Sequence, residues 1–167
     1  MKLLILSFYF RPDLCAGSFR TSALVDKLNT KNVELEVVTT SPNRYSSYSQ
    51  KVKFYKVEDG VKIYRIPLPV HKSGMFDQAM AFISFYRKAI KITNNSEYDG
   101  VFATSSRLFT AFLGARIASK KGITLYLDMR DIFVDTMKDV LPKVFSLFVI
   151  PLLKTIESYT FKKAKHI

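Results

Sequence analysis

The sequence predicts an α/β fold in which a parallel sheet carries helices on both faces and a β-hairpin is inserted. Short apolar runs of strand length alternate along the chain with longer segments of helical period, an order that is typical of parallel sheets. In addition, Glu58-Asp59-Gly60 separates two β-rich segments, Lys53–Val57 and Val61–Ile66. Because Asp-Gly favours a two-residue turn, these segments are predicted to pair as a hairpin.

The first unit of the alternating fold is a strand, a loop and a helix over residues 2–29. Its strand is an uninterrupted apolar run, LLILSFYF, as in strands covered on both faces. Its helix is predicted from the amphipathic spacing of Ala23, Leu24 and Leu28. Gly17 lies in the polar turn between them, where a glycine supplies close backbone approach or a positive φ.

The rest of the chain continues the alternation. We predict strands over Glu34–Thr40, Tyr98–Thr104 and Ile123–Asp128, and helices over Met75–Thr93, Arg107–Lys120 and Asp135–Lys165. Pro142 and Pro151 are expected to interrupt the last helical region, because proline removes an intrahelical hydrogen bond. A further strand is due where the chain stops, so we expect one domain, residues 1–167, truncated before its last strand.

Composition narrows the function classes. Lys and Arg total 26 against 14 Asp and Glu, a net charge of +12 that favours polyanionic partners: nucleic acid, acidic lipid or phosphorylated ligands. The single cysteine, Cys15, excludes an intrachain disulfide and fits a reducing compartment. No small-x-small cleavage site follows the apolar start, and the longest apolar stretch, Val144–Leu153, is too short to span a bilayer. A cytoplasmic protein is therefore expected.

Motifs for nucleotide and metal binding are missing from the sequence. It has neither G-x-G-x-x-G nor G-x-x-x-x-G-K-[ST], and His71 and His166 are too few and too scattered for a metal site. The carboxyl ends of parallel strands and the N-termini of the helices that follow them are the usual ligand edge. Gly17, Ser18 and Arg20 are therefore candidates for binding an anion, although an arginine on an early helix turn is often simply solvated.

Five segments carry a family resemblance. Residues 5–28, ILSFYFRPDLCAGSFRTSALVDKL, resemble the opening of family 4 retaining glycosyltransferases of the GT-B fold. Within that family, the segment is most similar to the bacterial surface-polysaccharide branch, which includes the fucosamine transferases of O-antigen and capsule synthesis. Three shorter segments also resemble segments of that family, and they are DGVKIYRIP, YDGVFATSS and LDMRD. The run from Ile156 to Ile167 resembles the one that precedes the last strand of the family's N-terminal half. Phe133, Val134 and Lys165 depart from the family pattern.

The resemblance implies a Rossmann-like N-terminal domain, the acceptor-binding half of a GT-B enzyme. The implied reaction moves a sugar from a nucleotide-sugar, which is a co-substrate, to a lipid-linked saccharide in surface-polysaccharide (lipopolysaccharide) synthesis. The resemblance implies that the anomeric configuration of the sugar is retained and that the reaction needs neither a metal nor another cofactor. The donor domain with its Glu-x7-Glu motif is absent, so this half alone is expected to be inactive. Its implied location is the inner face of the cytoplasmic membrane, as a peripheral protein.

The same resemblance assigns the candidate site residues. Asp131 is the candidate catalytic carboxylate, which would orient an acceptor hydroxyl or stabilise a cationic sugar, with Asp128 and Arg130 beside it. A carboxylate beside arginine is expected to keep a low pKa, and the alternative role of the group is an ion pair that fixes the loop. Ser105 and Ser106 are candidates for acceptor contact or, alternatively, caps of the helix that follows.

Apolar residues flanked by lysines predict a membrane-docking surface. The candidates follow Pro142 and are Lys143, Phe145, Phe148, Lys154, Lys162 and Lys163. The helix over Met75–Thr93 is the second such segment, and the alternative for both is a core-packed helix with a basic outer face. Two other functions stay open: a nucleotide-sugar epimerase of the same architecture, and a non-catalytic nucleic-acid-binding domain, which the charge allows although the lysines are dispersed.

Overall fold

The computed structural model describes residues 1–42, 52–69, 75–105, 108–130, 134–135, 137 and 143–167, with only the backbone described at 75–76 and 143–145. The strands in these ranges are β1 (Lys2–Leu6), β2 (Glu34–Thr40), β3 (Tyr55–Glu58), β4 (Val61–Ile66), β5 (Gly100–Thr104), β6 (Thr124–Asp128) and β7 (Ala164–His166). The helices are α1 (Ala16–Asn29), α2 (Met75–Thr93), α3 (Leu108–Lys121) and α4 (Lys143–Lys163).

One sheet contains all of these strands, in the order β3-β4-β2-β1-β5-β6-β7. Every pair is parallel except β3 with β4, which form the predicted hairpin. Its turn residues Asp59 and Gly60 have φ values of 50° and 82°. Both lie in the left-handed region that a two-residue hairpin turn of type I′ requires. The predicted fold class, α/β with a Rossmann-like parallel sheet and a hairpin insertion, is confirmed.

Helices cover both faces of the sheet. Leu3 and Ile5 of β1 pack with α1 on one face, the front face, and Leu4 and Leu6 pack with α2 and α3 on the other, the back face. The chain steps across the sheet in one direction from β1 to β2 and in the opposite direction from β4 through β5 and β6 to β7. Right-handed crossovers in opposite directions lie on opposite faces, which places α1 alone on the front face among the described helices.

The side of α1 that packs on the sheet differs from the prediction. Its buried residues are Ser18, Thr21 and Val25, whereas Ala23 is exposed and Leu24 is only partly buried. The spacing of apolar residues in the sequence had predicted that the side with Ala23, Leu24 and Leu28 would pack on the sheet. The helix instead places small polar side chains against the sheet, and one of them, Thr21, lies beside the Ser7 hydroxyl that follows β1.

Three expectations, two of them about the second half of the chain, need correction. Pro151 does not interrupt the last helix but lies inside α4, at an exposed position, while Pro142 lies outside the described residues. The strand expected beyond the chain end already begins at Ala164, where β7 pairs with β6. Gly17 lies in the first turn of α1, and the described glycines with positive φ are Gly60 and Gly122. The proposed truncation of the domain stays a prediction.

Candidate functional site

The carboxyl ends of β1, β5 and β6 lie side by side and bring together polar residues from three loops. Leu6 is in register with Ala103, and Thr104 with Asp128. The residues that follow these strands therefore meet at one edge of the sheet, which we call the carboxyl edge. In open parallel sheets this is the edge where ligands bind.

Asp128, Arg130 and Ser105 form one connected group at this edge. The Arg130 guanidinium donates two hydrogen bonds to Asp128 Oδ2, the one from Nε at 2.7 Å. The backbone N–H of Arg130 donates to Ser105 Oγ at 2.7 Å, and the backbone N–H of Ser105 donates to the Asp128 carbonyl at 2.8 Å. The Ser105 hydroxyl therefore joins two loops, and its alternative role as a cap of the following helix stays a prediction.

The pKa of Asp128 departs from the expected direction. Burial raises the pKa of this carboxyl above its ordinary value, and the positive charge of Arg20 partly opposes the rise. The sequence had suggested that the adjacent arginine would hold the pKa low. The partly buried position at the strand end is the physical reason for the difference, because burial disfavours the ionised form.

The start of α1 faces the same edge. Cys15 precedes the helix in an extended conformation, and the first turn contains no acidic residue. A helix N-terminus without a negative side chain retains its partial positive charge. Gly17 is half-buried there, and its carbonyl accepts a hydrogen bond from Thr21 Oγ1 at 2.9 Å.

Ser18 and Arg20 occupy opposite environments on that helix. Ser18 is only 1% exposed, and its Oγ has no hydrogen-bond partner among the residues that the structure describes. The hydroxyl is therefore hidden from a surface ligand in this conformation. Arg20 is exposed, and its side chain lines a groove together with Asp128 and Arg130.

The groove runs along the front face of the sheet beside α1 and has a volume of about 560 Å³. Arg20, Asp128 and Arg130 lie at its carboxyl end, with mainly apolar side chains along the rest of its length. The remaining lining residues are Met1, Leu3, Thr21, Leu24, Leu28, Phe102, Tyr126, Leu127, His166 and Ile167. A ligand with an anionic head and an apolar body matches this division of charge.

A set of hydroxyl groups beneath the groove was not predicted from the sequence. Ser7 Oγ lies 3.2 Å from Thr21 Oγ1 and 3.5 Å from Thr104 Oγ1. Ser7 also donates to the Tyr9 carbonyl at 2.7 Å, which holds the loop after β1. The available signal was the change from apolar to small polar residues at Ser7 and Thr104, where two strands end.

Arg11 fixes the loop between β1 and α1. Its guanidinium contacts Asp26 of α1 at 2.6 Å and Glu58 of β3 at 3.0 Å. Arg65 of β4 donates to the Arg11 carbonyl at 3.1 Å, and burial lowers the pKa of Arg65 below its ordinary value. The loop is thus held from three elements, so the start of α1 has a defined position beside the carboxyl edge.

The remaining predicted site residues divide into two groups. Asp131 and Ser106 lie outside the described residues, as do the side chains of Lys143 and Phe145. The side chains of Phe148, Lys154, Lys162 and Lys163 are exposed on α4. Because α4 packs against α3 on the back face, this second group lies away from the groove.

Comparisons with known proteins find similarity to solved structures alone, at low sequence identity. No protein-family model matches the chain, and no curated protein matches it. A solved structure titled as a UGT transferase from Siraitia grosvenorii in complex with UDP is similar, with 16% identity and a TM-score of 0.40. The match covers 76% of this chain, which spans 27% of the length of that structure. The assignment of the fold therefore rests on the strand order and the helix placement.

Among the helices that the structure describes, none combines the length and the hydropathy needed to cross a bilayer.

Proposed function

We propose that this chain is the acceptor-binding half of a glycosyltransferase that moves a sugar from a nucleotide-sugar to a lipid-linked saccharide in surface-polysaccharide synthesis. The observation that carries the proposal is the groove with Arg20, Asp128 and Arg130 at one end and apolar walls along the rest. An acceptor of this class offers a diphosphate, a sugar and a prenyl chain. Its anionic part fits the arginines and its apolar part fits the walls.

The proposal assigns Arg20 to the phosphate of the acceptor. Its guanidinium is exposed at the rim of the groove, close enough to Asp128 to oppose the rise in that group's pKa. Arginine binds phosphate through a planar set of N–H donors, which favours one orientation of the ligand. The uncompensated start of α1 at Gly17 adds positive potential on the same side.

Asp128 and Arg130 are proposed to orient the sugar of the acceptor. One carboxylate oxygen of Asp128 accepts both bonds from Arg130, which, among the described residues, leaves the other oxygen available to accept a bond from a hydroxyl. Ser105 is proposed as a positioning residue, because its hydroxyl holds the Arg130 backbone. Asp131 follows directly in the sequence and keeps its proposed catalytic role.

Retaining transfer without a metal is part of the proposal. Positive charge develops on the sugar and negative charge on the leaving phosphate, so a carboxylate near the sugar and N–H donors near the phosphate lower the barrier. The nucleotide is assigned to a second domain, since this sequence lacks a phosphate-binding glycine motif. The chain alone is accordingly expected to bind acceptor without turnover.

The test is calorimetric titration of this chain with a short-chain prenyl diphosphate-linked saccharide and, separately, with UDP-sugar. We expect the acceptor analogue to bind and the Arg20→Ala variant to bind it at least tenfold more weakly, because a charge-assisted contact to phosphate is lost. Arg116→Ala is the matched control, since Arg116 is exposed on α3, on the opposite face. Binding of UDP-sugar but not of the acceptor analogue would contradict the proposal.

Asp131 is tested in the complete enzyme, where turnover is measurable. Asp131→Asn preserves the size of the side chain and removes its charge. We expect the transfer rate to fall by at least a hundredfold, within the range known for a single electrostatic group in an active site. An unchanged rate would remove Asp131 from the mechanism while leaving acceptor binding at the groove intact.

A further inference from the structure

The sheet ends on one side at β3, whose outer side has no neighbouring strand among the described residues. In the strand order, β3 comes first and pairs with β4 alone. A strand at the edge of a sheet presents backbone N–H and C=O groups with which another strand can pair. The groove is lined by residues of β1, β5, β6 and β7, in the other part of the sheet. The outer side of β3 is therefore a separate surface.

The backbone groups of Tyr55 and Val57 point away from the sheet. The Arg65 N–H donates to the Phe54 carbonyl at 2.7 Å, so the backbone of Phe54 is directed toward β4. In an antiparallel pair, successive residues alternate between the partner strand and the opposite side. Lys56 is therefore also directed toward β4, whereas Tyr55 and Val57 direct their N–H and C=O groups to the outer side of β3.

The same strand exposes apolar side chains. Tyr55 and Val57 are 43% and 52% exposed, and Phe54, just before the strand, is 50% exposed. Tyr55 is in register with Tyr64, which packs against the back-face core, and the two ring centroids are 4.9 Å apart. Tyr55 and Val57 therefore both lie on the back face, since residues two apart in a strand share a face. Another strand beside β3 would remove part of this apolar surface from water.

The charged side chains of β3 lie on the front face. Lys56 and Glu58 are in register with Ile63 and Val61, which belong to the front-face core. Lys56 Nζ lies 2.8 Å from Glu58 Oε2. One base and one acid thus flank Val57. The strand is self-complementary in charge, because reversing its direction exchanges the two positions.

We propose that β3 pairs with β3 of a second copy of this chain, in an antiparallel register centred on Val57. Val57 lies opposite Val57 of the second copy, and the outward N–H and C=O groups of the two residues bond to each other. Lys56 lies opposite Glu58 of the second copy, and Glu58 opposite its Lys56, which forms ion pairs on the front face. On the back face, each Tyr55 reaches Val57 of the other copy diagonally.

Charge distinguishes this register from its neighbour. A register with Tyr55 opposite Val57 would place Lys56 directly opposite Lys56 of the second copy, where like charges are destabilising. Beside β3, Lys62 is already paired with Glu34 at 3.0 Å, so this edge of the sheet is locally balanced. Repulsion from the net charge of +12 on each chain is screened beyond about 8 Å at physiological salt.

The symmetry and the size of the contact define the assembly. A strand that pairs antiparallel with its own copy is related to it by a twofold axis, so association stops at a dimer. Because β3 has only four residues, the interface is small, and we expect a weak dimer that forms as the concentration rises. The groove stays open in both copies, so the proposal is independent of the proposed function.

The first experiment is sedimentation equilibrium of the chain over a range of concentrations. We expect Val57→Pro to weaken dimerisation at least tenfold, because proline removes the outward N–H while the backbone groups that face β4 are kept. Ile167→Pro is the matched control. Ile167 is 72% exposed directly after β7, at the other end of the sheet, and this variant should dimerise like the wild type.

The second experiment exchanges charges and tests the register. Lys56→Glu and Glu58→Lys each place like charges opposite one another in their own dimers, so we expect each variant to dimerise at least fivefold more weakly than the wild type. In an equimolar mixture, the acids of the first variant lie opposite the lysines of the second, and the dimer should recover. Lys31→Glu makes the same change of net charge at an exposed position after α1, and it should dimerise like the wild type.

Three results would overturn the proposal. One is a wild-type chain that stays monomeric at every concentration. Another is a Val57→Pro variant that is folded by circular dichroism and dimerises with the wild-type affinity, since the copies would then meet at another surface. The third is a mixture of the two charge variants that dimerises no better than either variant alone. If Val57→Pro does not fold, the behaviour of this mixture decides.

Discussion

The two edges of the sheet use buried polar residues in different ways. At the amino edge, Tyr98 donates a 2.5 Å hydrogen bond to Glu36, and Lys2 Nζ lies 3.4 Å from the same carboxylate. The Asp99 side chain accepts a 2.6 Å bond from the Lys2 backbone N–H, and the Lys2 and Lys121 ammonium groups lie over the Tyr98 ring. At the amino edge, therefore, these polar groups have partners within the protein.

At the carboxyl edge, fewer polar side chains are fully hydrogen-bonded within the described part of the protein. Ser18 Oγ is buried without a hydrogen-bond partner among the described residues and is hidden from a surface ligand, whereas the exposed Arg20 projects into a groove with Asp128 and Arg130. Exposed side chains that are not fully paired within the fold can gain partners from a ligand. The difference suggests that the amino edge stabilises the domain and that the carboxyl edge binds the ligand. Four substitutions or pH changes can break or sharpen this contrast.

The largest expected effect is at Glu36. Glu36→Ala leaves the buried Tyr98 hydroxyl and the Lys2 ammonium without their shared partner, so we expect the free energy of unfolding to fall by about 3 kcal/mol. Urea denaturation monitored by circular dichroism measures it. Glu34→Ala, at an exposed position on the same strand, should cost much less. Equal losses for the two variants would contradict the stabilising role of the amino edge.

The second effect is alkaline destabilisation through Tyr98. Burial and the hydrogen bond to Glu36 raise the pKa of Tyr98 above its ordinary value. Above the unfolded pKa, the unfolded chain loses this proton while the folded chain keeps it, so stability falls as pH rises, by up to about 1.4 kcal/mol per pH unit. Tyr98→Phe should flatten the fall of Tm above about pH 10. An identical alkaline profile in this variant would show that Tyr98 ionises normally.

The third effect is at the carboxyl edge itself. Ser105→Ala removes the acceptor of the Arg130 backbone N–H, so we expect a loss of about 1 kcal/mol in the free energy of unfolding. Acceptor binding in the titration described above should weaken as well, because Arg130 loses its support. Ser158→Ala, at an exposed position on α4, is the control for both measurements. Weaker binding without any loss of stability would indicate a direct contact of Ser105 with the ligand.

The smallest effect is expected at Ser18. Since its buried hydroxyl has no partner in the described structure, Ser18→Ala should leave the free energy of unfolding unchanged or raise it by up to about 1 kcal/mol. Thermal unfolding is the appropriate measurement. A clear drop in Tm would show that the hydroxyl is paired, and the contrast between the two edges would then be weaker.

Much of the fold follows from local sequence patterns. The bounds of β2, β4 and α2 agree with the predicted Glu34–Thr40, Val61–Ile66 and Met75–Thr93, because apolar periodicity and the Asp59-Gly60 turn are local properties. The continuity of α4 through Pro151 depends on tertiary packing, since buried Ile150 and Leu153 hold the helix on both sides of the proline. A rule that considers only the residues next to a proline does not include this tertiary contribution.

The candidate site was only partly predictable for the same reason. Arg20 was identified from its position on an early turn of the first helix, Asp128 and Arg130 from theirs at a strand end, and the structure brings them to one groove. The role of Ser105 depends on the backbone of Arg130, 25 residues further along, and the burial of Ser18 depends on which side of α1 packs on the sheet. Contacts of this kind are fixed by strand register and helix orientation, which spacing in the sequence does not specify.

Chemical-shift mapping on the isotope-labelled chain tests the central claim most directly. The probe is the prenyl diphosphate-linked saccharide, and the readout is which backbone amides shift on titration. The account predicts that the amides of Arg20, Ser105 and Arg130 shift together and saturate with one affinity, while those of Glu36 and Tyr98 stay in place. Shifts confined to the amino edge, or none at the carboxyl edge at saturating acceptor, would contradict it.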